Sequence, residues 1–290
     1  MYFHINKFLL STASRPIIWC LVLLSFLTGC EQGDGSEPKE EVRPLASFCR
    51  VAKLYDLNDT TQYTLYQYGY QNRVLQAKGY YKGKEKSTIT YEYNNLGQLI
   101  TVDVRERNFD FAQEYNGGYH QVYTFEYNSQ GQVAKYVTSD LQNNNPGPIF
   151  ETICTYDSEG NRIKTTTTVL ATALTAVSYF TYENGNCVKA IINEGQESER
   201  TNLYEFDLTK ENKLQAFEQA SNLSNLLGPT ANKNMLLLET RSYKVYTATS
   251  GTFEFFQEYN DQGYPTKQIF TRTSSYGQGT TSRLFEYDCL

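Results

Sequence analysis

From about residue 47 onward, apolar and polar positions alternate in short runs. Ile89, Tyr91 and Tyr93 fall on one face while Thr88, Thr90 and Glu92 fall on the other, and Tyr123, Phe125 and Tyr127 repeat the scheme. A period of two is the mark of a half-buried strand. Each run closes on an aromatic, followed by Asn or Asp, two variable residues, Gly, and a second alternating run. The full form is written at "TYEYNNLGQLITV", "TFEYNSQGQVAKY", "CTYDSEGNRIKTT" and "FQEYNDQGYPTKQ", with weaker copies at "LYQYGYQNRVLQ", "FTYENGNCVKAI" and "LYEFDLTKENKL". The anchoring aromatics are Tyr68, Tyr93, Tyr127, Tyr156, Tyr182, Phe206, Tyr259 and Tyr287.

Each copy predicts a β-hairpin. The side chains of Asn94, Asn128, Asp157 and Asn260 can accept a hydrogen bond from the backbone two residues on, which starts a turn. Gly97, Gly131, Gly160 and Gly263 stand three residues later, where a hairpin loop commonly needs positive φ. One hairpin is too small to hold in water, so neighbours must stack side by side and align their aromatics. The predicted fold class is all-β: an antiparallel β-meander of repeated hairpins forming one curved sheet or incomplete barrel. A gap of 53 residues separates Phe206 from Tyr259. Within it Leu214, Phe217, Leu223, Leu226 and Leu227 approach helical spacing before Gly228-Pro229, which predicts one short helix or ordered loop near 214–228.

"YDSEGNRI" resembles the YD repeat of RHS and teneurin-type proteins, and the layout over roughly residues 60–290 resembles repeat-bearing lipoproteins of Gram-negative bacteria with no assigned activity. Closed RHS shells use far more repeats than fit here, so the resemblance implies an open meander or incomplete barrel.

The front of the chain carries a different signal. Lys7 and Arg15 precede an apolar run from Ile17 to Leu27, the length of a signal peptide and short of a membrane span. It ends in Leu27-Thr28-Gly29-Cys30, which resembles the lipobox of bacterial lipoproteins and implies lipidation of Cys30 and a membrane anchor through that lipid. The expected organisation is a signal peptide at 1–29, a lipidated cysteine and flexible acidic tether at 30–46, and a repeat domain at 47–290. The address implied is the outer membrane, on its periplasmic face or at the cell surface. Losing Lys7 and Arg15 moves the formal net charge from −6 to −8. An acidic body offers no footprint for phosphate backbones, so no nucleic-acid partner is expected.

Catalytic chemistry finds little support. Of two histidines, His4 belongs to the signal peptide, leaving His120 without a triad or an imidazole metal site. Glu92, Glu126, Glu183, Glu205, Glu258 and Glu286 recur opposite the aromatics, as a solvated face does, rather than as two distinct carboxylates. No enzyme activity, metal or cofactor is expected. Cys154 and Cys187, in consecutive repeats, are the preferred disulfide candidates, with Cys49 and Cys289 as the pair that would join the two ends and free thiols as the alternative. Twenty-five tyrosines are unusual; Tyr91, Tyr93, Phe125, Tyr127 and Tyr182 form either a core or an aromatic binding face. The sequence therefore predicts a non-catalytic binding or scaffold module of the envelope, with a glycan or envelope protein as partner. A carrier of lipid or another hydrophobic ligand and a glycan-active enzyme are the alternatives.

Overall fold

The computed structural model describes residues 49–107, 118–142, 146–215, 217, 232–245 and 250–289. Sixteen strands run through these residues: β1 (Cys49–Asp56), β2 (Gln62–Tyr68), β3 (Val74–Tyr81), β4 (Lys84–Tyr93), β5 (Leu99–Glu106), β6 (Tyr119–Tyr127), β7 (Val133–Asp140), β8 (Gly147–Tyr156), β9 (Arg162–Val169), β10 (Leu174–Glu183), β11 (Asn186–Glu194), β12 (Arg200–Glu211), β13 (Asn234–Tyr243), β14 (Gly251–Tyr259), β15 (Pro265–Ser274) and β16 (Gly277–Cys289). Every strand pairs antiparallel with its neighbours in sequence, and β1 pairs with β16. The sheet is a closed barrel, which corrects the expected open sheet or incomplete barrel. Closure removes the two exposed edges that an open meander would leave. Cys30, the signal peptide and the tether lie outside the described residues, as does most of the 214–228 segment.

The seam between β1 and β16 runs from Cys49 opposite Cys289 to Asp56 opposite Arg283. Cys49 and Cys289 are joined by a disulfide, and Arg50 and Asp288 form an ion pair at 2.7 Å. Cys154 and Cys187 are buried free thiols, not a bridge. They sit on β8 and β11, which two strands keep apart in the ring.

The repeat works as a turn plus a latch. The Asn94 side-chain oxygen accepts hydrogen bonds from the amides of Leu96 and Gln98, and Asn128, Asp157 and Asn260 repeat this pair of contacts at their own turns. Gly131 then takes φ of +78°, a conformation that costs any residue with a Cβ. The anchoring tyrosine reaches back across the sheet. Tyr68, Tyr93, Tyr127, Tyr156, Tyr182 and Tyr287 each donate the phenol proton to a backbone carbonyl, of Val51, Val74, Leu99, Val133, Arg162 and Pro265 respectively, at 2.5–3.2 Å. Each acceptor opens or nearly opens the preceding second strand, so one hydroxyl fixes the register of each repeat against the last.

Across β3–β8 alternation separates an apolar inside from a polar outside. Tyr91, Val102 and Tyr123 pair across β4, β5 and β6 and are buried, as are Phe125 and Tyr136 across β6 and β7. One residue along, Glu126 faces Lys135, and the two form an ion pair at 2.6 Å. Several outward-facing apolar residues stand beside lysines, Leu65 opposite Lys53 and Lys78, Ile153 opposite Lys135 and Leu203 opposite Lys189, whereas Phe256 stands opposite Ile269. A barrel that spans a bilayer shows the reverse order, with an outward apolar band where each Lys or Arg near the midplane costs about 2–4 kcal/mol.

Candidate functional site

The inner surface has two unlike walls. Across β3–β8 it is a continuous apolar layer of Val74, Ala77, Tyr91, Leu99, Val102, Tyr123, Phe125, Tyr136 and Cys154. Burial drives these phenols upward in pKa: Tyr93 to about 12, Tyr91 and Tyr123 further. Of the aromatic candidates, Tyr91, Tyr93, Phe125 and Tyr127 come together in this layer, facing inward, while Tyr182 packs in a separate inner cluster with Phe180, Cys187 and Ala190. Tyr91 and Phe125 are 3% and 6% exposed, and the hydroxyls of Tyr93, Tyr127 and Tyr182 are committed to carbonyls. Of the two arrangements the sequence leaves open, core or binding face, they take the core, with the three hydroxyls as latches.

Across β12–β14 the wall is polar. Asn202 and Glu239 are buried, and Glu239 accepts two hydrogen bonds from the Arg241 guanidinium, at 2.7 and 2.9 Å. Arg241 in turn lies 4.3 Å from the Phe253 ring centre. The Asn202 amide donates to Tyr204 at 2.9 Å, while its carbonyl oxygen and Arg200 Nε are buried without a hydrogen-bond partner. Nearer the turns, Asn186 and Asn234 bond each other twice, and the Cys187 amide donates to the Asn232 side-chain oxygen Oδ1.

A cavity of about 470 Å³ opens where the walls meet at the seam, between β1–β4 and β15–β16. That volume lies within the range of small-molecule sites, roughly 300–1,000 Å³. Its floor is aromatic: Tyr66 meets Phe217 edge to face at 4.9 Å, and Phe285 lies beside them with Leu214 packed underneath. Burial pushes the Tyr66 phenol up to about 12, opposed in part by the nearby Arg283. Its sides carry Asp56, Gln62, Gln268 and Arg283. Asp56 and Arg283 stand directly opposite on β1 and β16, and Arg283 rests over the Phe270 ring at 5.4 Å. The repeat pattern gave no hint of this cavity, because its walls come from the two ends of the chain.

The remaining candidates are structural. His120 lies 3.2 Å from Asp103 on the outer face. Partial burial raises the Asp103 carboxyl, but hydrogen bonds from Arg105 and His120 outweigh it and hold the group below the usual range. Of the recurring glutamates, Glu126 and Glu258 pair with Lys135 and Lys267, and Glu286 accepts a hydrogen bond from Tyr55.

No protein-family model matches the chain, and no curated protein matches it. Among solved structures it is similar to a porin-like protein from Bacteroides vulgatus, with a TM-score of 0.52 and 10% identity over 82% of this chain and 98% of that one. A porin-like protein from Bacteroides uniformis gives a TM-score of 0.49 at 11% identity, covering 82% and 96% of the two chains. The likeness to the Bacteroides vulgatus structure shows a shared barrel fold.

Proposed function

We propose that this protein is an exported envelope lipoprotein whose barrel stands in water as a non-catalytic binding module, held to the outer membrane by a lipid on Cys30. The observation that carries this reading is the outer face, where charged groups stand in the middle of strands as well as at their ends, as Asp103 does on β5 beside Arg105 and His120, and Glu151 on β8 beside Lys135. Such a surface is at home in water and costly in hydrocarbon. Attachment then falls to the lipobox-like Leu27-Thr28-Gly29-Cys30 sequence. A single core-lined barrel with a small open cavity suits capture of a ligand, and among the described residues lining that cavity Asp56 is the one carboxylate, not a pair that could divide acid and base roles.

The test separates anchoring by lipid from insertion by the barrel. Cells expressing the wild type incorporate labelled fatty acid and keep the protein in the membrane fraction through a carbonate wash. Cys30→Ser takes up no label and moves to the soluble fraction. Retention of Cys30→Ser in washed membranes overturns the reading, since the barrel itself would then be inserted. Turnover of a glycan by the wild type, lost on replacing one carboxylate, overturns its non-catalytic part.

A further inference from the structure

We infer that the seam cavity is a binding site for a neutral oligosaccharide, gripped through two adjacent hydroxyls by Asp56 and Arg283 above the aromatic floor of Tyr66, Phe217 and Phe285. This rests on the water-standing binding barrel proposed above and names its ligand class.

A sugar ring presents apolar C–H faces and a rim of hydroxyls, each both donor and acceptor. The cavity offers the matching halves. Tyr66 and Phe217, edge to face at 4.9 Å, with Phe285 beside them, form an apolar surface at the base, and rings of this kind take C–H faces well while tolerating water at their edges. At the side, the Asp56 carboxylate, whose Oδ1 accepts from the Asn58 amide at 2.9 Å and whose other oxygen makes no hydrogen bond among the described residues, can only accept, and Arg283 can only donate. The two face each other on paired strands. Neighbouring hydroxyls on one ring can satisfy both, one giving its proton to Asp56 and the other accepting from Arg283, as charge-assisted hydrogen bonds. Arg283 makes no ion pair among the described residues, and its stacking on Phe270 leaves the guanidinium edge available. Gln62 and Gln268 add amides that donate and accept.

The same lining argues against the other occupants. An acyl chain would lie against the Asp56 carboxylate, whose one side-chain bond among the described residues is from the Asn58 amide at 2.9 Å, and against the Arg283 guanidinium, and would give neither a partner, at a cost of about 1–3 kcal/mol for each polar group it shields from water. A phosphorylated ligand would meet one guanidinium and one opposing carboxylate, because Lys86 on the same rim is paired to Glu106 at 3.2 Å.

The full chain in detergent, titrated calorimetrically with neutral hexasaccharides of glucose (α- and β-linked), mannose and N-acetylglucosamine, tests the inference. Saturable binding of at least one, weakened about tenfold or more by Asp56→Ala and by Arg283→Ala and unchanged by Lys267→Ala on the outer face, supports it. If Arg283→Ala fails to fold, judged by its melting curve, Arg283→Lys keeps the charge but loses the planar fork and should weaken binding without unfolding. Absence of saturable binding to all four sugars overturns the inference, as does binding that both cavity variants leave intact. Binding of glycylglycine or myristate in place of sugar, with the same residue dependence, overturns it in favour of a zwitterion or a lipid. None of these results alters the fate of Cys30→Ser in washed membranes, so failure here and failure of the anchored-barrel reading are told apart.

Discussion

The β3–β8 wall and the β12–β14 wall are built on the same ring, yet they are stabilised in opposite ways. In the first, each repeat ends in a tyrosine that is at once core and register pin, as Tyr93 is to Val74. In the second, the anchors are Phe206, which has no hydroxyl to give, and Tyr259, whose hydroxyl makes no such bond among the described residues and whose ring lies 5.3 Å from the Lys210 ammonium instead. The register slips at the anchor in both walls, between Glu205 and Phe206 as between Glu92 and Tyr93, so the slip itself does not set them apart. Buried polar groups take over in the second wall, with Glu239 bound to Arg241 and Asn186 bound to Asn234. A repeat thus tolerates the loss of its latch where other directional bonds, such as those of Asn186 with Asn234 between β11 and β13, tie strands together. The substitute is more exacting, because half-satisfied buried polar groups destabilise more than apolar ones do.

Alkaline pH should break the tyrosine wall most completely. The phenols of Tyr93 and Tyr66 are held near 12, above the ordinary value near 10. A raised folded pKa contributes stability that is fully present below the unfolded pKa and lost as pH rises through the folded one. Stability should therefore fall between pH 10 and about 12, with tyrosinate absorbance and loss of sheet signal rising together. Tyrosine ionisation complete near pH 10 with the sheet intact would sink this account.

Next in size is the seam. Removing the disulfide by Cys49→Ser should lower stability by about 3–5 kcal/mol, since the bridge closes a loop of some 240 residues, read as a shift in denaturant midpoint. Cys154 and Cys187, whose thiols burial pushes up, Cys187 to about 12, should stay unreactive to alkylation until the barrel unfolds. Glu239→Ala should cost about 2–3 kcal/mol, less than a fully buried pair because Arg241 keeps some contact with water. The smallest effect sharpens the contrast: Tyr93→Phe should lose about 1 kcal/mol by leaving the Val74 carbonyl unbonded, whereas Phe206→Tyr should gain nothing measurable. Equal responses at the two positions would mean that the walls do not differ as described.

Local chemistry made the hairpins legible. Asn128, Gly131 and Tyr127 declare turn and inward face within a handful of residues, and the structure places them so. Ring closure was not legible, because nothing in the pattern of either strand says that β1 and β16 are partners; the pairing depends on twist accumulated over the whole sheet. The preference for Cys154 with Cys187 failed for the same reason, since adjacency in sequence put them two strands too far apart. The seam cavity was hidden twice over. Asp56 and Arg283 look like ordinary surface charges until closure sets them opposite each other, and the β12–β14 charges fall where the repeat motif fades.

The seam has one more consequence. Cys49 and Cys289 bring their Cα atoms within 4.1 Å, so a few added residues could join the two ends of the barrel, and a new pair of ends could be cut at an exposed hairpin such as Lys82-Gly83. Circular permutants of this kind should fold to the same ring, because each strand already finds its two partners beside it whichever strand is made first. What such a cut would change is the order of assembly: the β1–β16 pairing, the most distant in the present chain, would become a local hairpin, and a different pair of strands would inherit the slow closing step.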